Sequence, residues 1–189
     1  EYIAYLKARK VPVAVTASTG IAATHMNGMT IHSWSGIGIK NVITSSNLSS
    51  MKSKKYLKEH LEKAQVLIID EISMLHLGQL NSVNTVLKYF KNSESAFGGI
   101  QVVFSGDFFQ LPPLRPAPIA QRFAFMSSSW VEANLAVCYL TDQFRQDDNE
   151  LNEILNEIRS ASSSNKSRKH LLAAQYTKLE TKITPTKLY

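Results

Sequence analysis

Only one cysteine, Cys138, occurs in the 189 residues, which excludes an internal disulfide and any cysteine-built zinc site. The thiol lies in the apolar stretch Leu135–Leu140 and is expected to be buried and structural. Five histidines are scattered without an HExxH spacing, so nothing supports a zinc hydrolase. No apolar run approaches the roughly 20 residues needed to cross a bilayer, and no basic-then-apolar leader opens the chain. The sequence starts at Glu1 without a methionine, which reads as a piece of a longer polypeptide. Neither GxxxxGKS nor GxxxxGKT occurs, so the loop that cradles nucleotide phosphates is missing. Acidic residues are the minority, 15 against 21 Lys and Arg, for a net charge of +6. With a pI near 9.4, that balance favours a polyanionic partner.

What is present reads as a folded α/β chain. A hydrophobic share of 44% suits a globular core. Residues 1–9 end a helix before Pro12, and Val13-Ala14-Val15-Thr16 is a strand. Ser18-Thr19-Gly20 opens a capped helix start. Residues 41–53, rich in Ser and Asn, read as a surface loop, and 54–63 as a charged helix. Val66–Asp70 is a buried strand. Leu77, Leu80, Val83, Leu87 and Phe90 recur at helical spacing. Ile100–Phe104 reads as another buried strand, residues 135–140 as a further one, and Leu151, Ile154, Leu155 and Ile158 as an amphipathic helix. Strand–helix alternation with continuous apolar strands predicts a mainly parallel sheet covered on both faces. Basic residues gather at Lys52, Lys54, Lys55, Lys58 and Lys63, and again at Lys166, Arg168, Lys169 and His170. Each cluster suits a solvated face as well as a polyanion.

Three strings carry chemistry. Val66-Leu67-Ile68-Ile69 runs straight into Asp70-Glu71, placing two acids at the carboxyl end of a strand, where open α/β sheets bind ligands. One acid can hold Mg²⁺ beside a nucleoside triphosphate, and the other can orient or deprotonate water. Phe104–Pro113 follows a strand with a Gly106-Asp107 turn, and the Gln110 amide can reach a γ-phosphate or the attacking water. In Leu140–Gln146, Arg145 can offer a planar fork to a phosphate.

Read in order, TASTGIAA (16–23), TIHSWSGIG (30–38), VLIIDEISML (66–75), FGGIQVVFSGDFFQLPP (97–113), RFAF (122–125) and FRQ (144–146) resemble the first motor domain of the Pif-type DNA helicases, superfamily-one enzymes that move 5′ to 3′. The match covers about residues 11–160, and Pro185–Tyr189 resembles the entry to the family's second motor domain. The resemblance implies a RecA-like three-layer α/β/α motor domain over 1–160, a P-loop NTPase fold lacking its P-loop segment here. Residues 161–189 would be a basic hinge leading to a second motor domain.

It also implies ATP and Mg²⁺ as cofactors. Asp70 would help hold the metal, Glu71 would be the catalytic base, Gln110 would sense the γ-phosphate, and Arg145 would be the arginine finger. Asp107 would organise the turn between nucleotide and DNA sites. Ser18, Thr19, Thr30, His32 and Ser33 would line the single-stranded DNA track, where small hydroxyls and N–H groups suit phosphate oxygens. Trp34 is either a base-stacking or a core aromatic. The partners implied are single-stranded and forked or structured DNA, with no membrane. The roles implied are telomere upkeep, recombination and repair, in nucleus or mitochondrion.

Departures are few: His76 stands where the family favours aspartate, and Arg115-Pro116-Ala117-Pro118 is a divergent insert. Without a phosphate-binding loop, the 189 residues alone are expected to hydrolyse no ATP at a useful rate. A degenerate nucleic-acid-binding domain without catalysis is the alternative.

Overall fold

The computed structural model describes residues 1–113, 122–142 and 148–175. The chain packs as two compact units, Glu1–Val137 and Cys138–Tyr189, and the sheet lies in the first.

In that unit α1 (Tyr2–Ala8) leads through Pro12 into β1 (Val13–Ala17), followed by α2 (Gly20–His25) and β2 (Met29–Thr30). Next come α3 (Ile31–Trp34), α4 (Ser45–Lys52), α5 (Lys55–Lys63) and β3 (Val66–Asp70). The unit closes with α6 (Leu77–Lys91), β4 (Gln101–Phe104) and α7 (Ser128–Glu132). Among the described residues the strands form a four-stranded sheet in the order β2-β1-β3-β4. All three pairings are parallel, as the alternation of strands and helices predicts.

β3 is apolar at every position before Asp70 because it is covered twice. Leu67 and Ile69 join the core beneath α5 and α6, with Leu57, Leu61, Leu80, Val83 and Leu87. Val66 and Ile68 point the other way, against Leu6 of α1 and Met26 at the end of α2. Each fully buried Leu or Ile stabilises the fold by about 1.5–3 kcal/mol. The result is helix, sheet and helix in three layers.

Several sequence expectations need correction. The Ser- and Asn-rich stretch is not all loop, because Ser45–Lys52 is helical. Thr44 and Asn47 form a reciprocal capping box there, and Met51 anchors the helix in the core. β4 is only half-buried, since among the described residues it is the last strand on its side of the sheet. Residues 135–140 form no strand; among the described residues they have no ladder partner, and Tyr139 and Leu140 are 87% and 96% exposed. Cys138 is correspondingly exposed rather than buried.

The second unit contains α8 (Asn149–Arg159) and α9 (Asn165–Gln175). Asp148 caps α8 by accepting from the N–H groups of Glu150 and Leu151. Ile154 is its buried anchor, while Leu155 and Ile158 are exposed.

Candidate nucleotide and DNA sites along the carboxyl rim

Because the sheet is parallel, all four strands end on one rim. Register places Thr30 beside Ala17, Ala17 beside Asp70, and Ile69 beside Phe104. Neighbouring strands lie about 4.8 Å apart. Thr30, Ser18, Asp70 and Ser105 therefore follow or close adjacent strands in a row. Thr30 and Ser18 stand at the β2–β1 end, and the acids at the β3–β4 end.

Asp70 is the last residue of β3 and half-buried. Glu71 leaves the strand in the left-handed region, φ 54° and ψ 44°, which costs a non-glycine residue about 1 kcal/mol or more. Within the turn the Met74 N–H donates to the Glu71 carbonyl at 3.1 Å, and three further bonds tie it to the neighbouring strand ends. The Ser18 N–H donates to the Asp70 carbonyl at 3.0 Å, and the Ser18 hydroxyl donates to the Glu71 carbonyl at 2.6 Å. From the other side, the Ile72 N–H donates to the Ser105 carbonyl at 2.9 Å. Gly106 closes over the same turn, where an added Cβ would sit 3.0 Å from the Ile72 nitrogen. That close approach, rather than an unusual φ, calls for glycine here.

The loop after β4 is organised by Asp107. Its carboxylate accepts from the Phe109 N–H at 3.0 Å and from the Gln110 side-chain amide at 3.2 Å. Its carbonyl accepts from the Gln110 N–H at 3.0 Å. Gln110 is exposed and rests against Asp107. Phe108 turns inward, edge-on to Phe125 with centroids 4.9 Å apart, and also meets Phe123 and Trp130. The RFAF segment thus braces the loop. Phe109 is 97% exposed, a solvent-facing aromatic that the sequence reading passed over; its only signal was the doubled Phe.

At the other end of the rim, Thr19 caps α2 by accepting from the Ala22 N–H at 3.3 Å. Thr30 caps α3: its hydroxyl accepts from the Ser33 N–H at 3.3 Å and donates to the Ser33 hydroxyl at 3.1 Å. His32 is half-buried and Ser33 exposed. Trp34 is 6% exposed and belongs to the core, which resolves its two readings in favour of packing. Ser18 differs from the other hydroxyl residues, for both its donors are already engaged by the end of β3.

Arg145 lies outside the described residues, as do Gln143, Phe144, Gln146, the 115–118 insert and Pro185–Tyr189. Asp70, Glu71, Asp107 and Gln110 share neighbouring strand ends. Among the described residues no group of three or more His, Cys, Asp or Glu side chains is set to hold a metal ion. Beside a nucleotide, Mg²⁺ needs one or two carboxylates, with phosphate and water oxygens completing its shell. The single Asp70 fits that requirement. The basic clusters are partly paired: Lys58 lies 3.9 Å from Glu62, and Lys166 bonds Glu153 at 3.2 Å, which raises the lysine pKa. No helix among the described residues is long and apolar enough to cross a membrane.

Fold and rim together define the class of parallel α/β proteins that bind ligands at the carboxyl ends of their strands. The comparisons then narrow it. Residues 1–166 match the PIF1-like helicase model, and the chain belongs to that family. It is 58% identical over 168 residues to "ATP-dependent DNA helicase Pif1" of Psychrobacter sp., covering 84% of this chain and 26% of the relative. The crystal structure of Pif1 helicase from Candida albicans superposes with a TM-score of 0.84 at 36% identity, covering 99% of this chain and 43% of that one. Pif1 from Bacteroides in complex with ADP-AlF3 and ssDNA matches with a TM-score of 0.77 at 32% identity, over 89% and 41% of the two chains. The fold is thus that of the RecA-like Pif1 motor domain. The chain spans about a quarter of the length of that curated relative, 26%.

Proposed function

We propose that these residues form the first motor domain of an ATP-dependent DNA helicase that moves 5′ to 3′ on single-stranded DNA and unwinds duplexes. The motor domain is assigned to 1–160, and 161–189 to a basic hinge that leads to a second motor domain. The observation that carries the reading is the shared rim, on which β3 and β4 end in acids and an amide while β1 and β2 end in hydroxyls. The Candida and Bacteroides matches support it, because the latter is described with both a nucleotide analogue and ssDNA.

The roles follow from chemistry. Asp70 holds Mg²⁺, which when bound neutralises charge on the β- and γ-phosphates. Glu71 takes the proton of the attacking water, as a general base within reach of the γ-phosphate must. Gln110 leaves Asp107 to contact the γ-phosphate, and Arg145 balances the charge that develops during transfer. Thr19, Thr30, His32 and Ser33 contact the DNA backbone, and Ser18 joins them by exchanging its present acceptor for a phosphate oxygen. The chain carries no phosphate-cradling loop, so on this reading another part of the full-length protein supplies it. These 189 residues alone then hydrolyse no ATP at a useful rate.

We assign its work to DNA upkeep: recombination, repair and, in a eukaryotic host, telomere maintenance in the nucleus or mitochondrion. The test is unwinding by the full-length protein of a forked duplex with a 5′ single-stranded tail, compared with a 3′ tail. ATP-dependent unwinding from the 5′ tail is expected. DNA binding without ATP turnover would instead establish a degenerate, non-catalytic domain.

A further inference from the structure

Ser18 joins the two ends of the rim, and the arithmetic of its single proton gives it a role beyond DNA contact. A serine hydroxyl has one donor, and here that donor goes to the Glu71 carbonyl at 2.6 Å. The backbone N–H of Ser18 is equally committed, to the Asp70 carbonyl. A phosphate oxygen is only an acceptor. Ser18 therefore cannot donate to DNA while it donates to Glu71; the two acceptors compete for one proton.

The acceptor it holds is not an ordinary carbonyl. Glu71 sits in the left-handed region, a conformation that persists only where surrounding bonds over-determine it. On the Glu71–Ile72 turn those bonds are the Ser18 hydroxyl and the Met74 N–H on the Glu71 carbonyl, the Ser18 N–H on the Asp70 carbonyl, and the Ile72 N–H on the Ser105 carbonyl, the hydroxyl being the side-chain bond among them. Taking the hydroxyl away leaves the Glu71 carbonyl to the Met74 N–H of its own turn and loosens the tie from β1 to the backbone that aims the Glu71 carboxylate.

We infer that Ser18 is a positioning residue for Glu71, whose hydroxyl passes between the Glu71 carbonyl and a DNA phosphate and so ties hydrolysis to DNA occupancy. This rests on the assignment of Glu71 as base and of the β1–β2 end as the DNA track. Coupling of this kind is reciprocal: whatever DNA does to the Glu71 turn, the turn does to DNA affinity.

The experiment is steady-state ATP hydrolysis by the full-length protein, with and without saturating oligothymidylate, for wild type, S18A, S18T and S33A. In S18A the ratio of DNA-stimulated to basal rate at saturation is expected to fall about fivefold, the equivalent of one net hydrogen bond. S18T keeps a hydroxyl at the same place and restores the ratio. S33A, as a plain DNA contact, raises the oligothymidylate concentration for half-stimulation but leaves the saturating ratio intact. If S18A behaves as S33A does, needing more DNA and reaching the wild-type ratio, Ser18 is a DNA contact alone and the inference is overturned. An unchanged S18A overturns it equally. A wild-type protein that DNA does not stimulate, or an S33A with unaltered half-stimulation, overturns instead the assignment on which the inference rests.

Discussion

Nε2 of His60, on α5, lies 2.6 Å from the main-chain oxygen of Trp34, the last residue of α3. A carbonyl only accepts, so Nε2 carries the proton. The other α3 carbonyls take backbone donors: Ser35 to Ile31, Gly38 to His32, Gly36 to Ser33. His60 satisfies the one that remains, and its ring lies 5.6 Å from that of Trp34. The short helix that carries His32 and Ser33 is thereby fixed to the core. His60→Ala is expected to weaken single-stranded DNA binding about fivefold, the value of one net hydrogen bond. His60→Gln can donate from the Nε2 position and should retain most of the affinity. Fluorescence anisotropy with a labelled oligothymidylate decides the matter; equal affinity in all three proteins would show that α3 does not depend on this bond.

The glycines form a graded steric series. An added Cβ at Gly28 would lie 2.3 Å from the Val15 carbonyl oxygen, at Gly106 3.0 Å from the Ile72 nitrogen, and at Gly20 near nothing. Gly28→Ala should destabilise by roughly 3 kcal/mol and Gly106→Ala by about 1 kcal/mol, as overpacking does. Gly20→Ala, within α2, should stabilise by up to about 1 kcal/mol. Urea unfolding of the three variants tests the order, and a destabilised Gly20→Ala would contradict it.

Stability on the acid side depends in part on Glu132. Hydrogen bonds from Lys88, then Asn84, hold its carboxyl below the ordinary value of 4.5. Asn84 links this contact inward, donating to Ser129 and accepting from the Phe97 N–H at 2.6 Å. A carboxylate whose folded pKa is depressed stabilises above its unfolded pKa, and that contribution is lost as pH falls through the folded value. Melting temperature should therefore drop more steeply below about pH 4.5 in wild type than in Glu132→Gln. Parallel curves for the two would remove Glu132 from the account.

Arg145→Ala in the full-length protein should lower ATP turnover by about 10³-fold or more, the scale of an arginine finger, with little change in ATP affinity. Stopped-flow phosphate release measures the first and nucleotide titration the second. Turnover within a fewfold of wild type would assign the finger elsewhere.

Much of this was legible in the residues, for identifiable reasons. Val66–Asp70 reads as a doubly covered strand because four apolar residues precede the acid, and both its faces are indeed buried. α6 was visible in the three-and-four spacing of Leu80, Val83, Leu87 and Phe90, all buried. β2, with two residues, is too short to leave a periodicity. α4 hid behind Ser and Asn, residues that favour turns as readily as helix caps, and the Thr44–Asn47 pair was its one signal. Leu135–Leu140 has the composition of a strand, but pairing depends on a neighbour that no local pattern encodes. The Ser18–Glu71 and His60–Trp34 bonds join residues 53 and 26 positions apart, and only the fold brings such partners together.

The central claim is that Glu71, at the end of β3, is the base for ATP hydrolysis driven by single-stranded DNA. The most direct measurement is DNA-stimulated ATP turnover by full-length wild type and Glu71→Gln, with nucleotide affinity measured alongside. A fall of about 10²-fold or more at unchanged affinity is the predicted result. Undiminished turnover in Glu71→Gln would contradict the account.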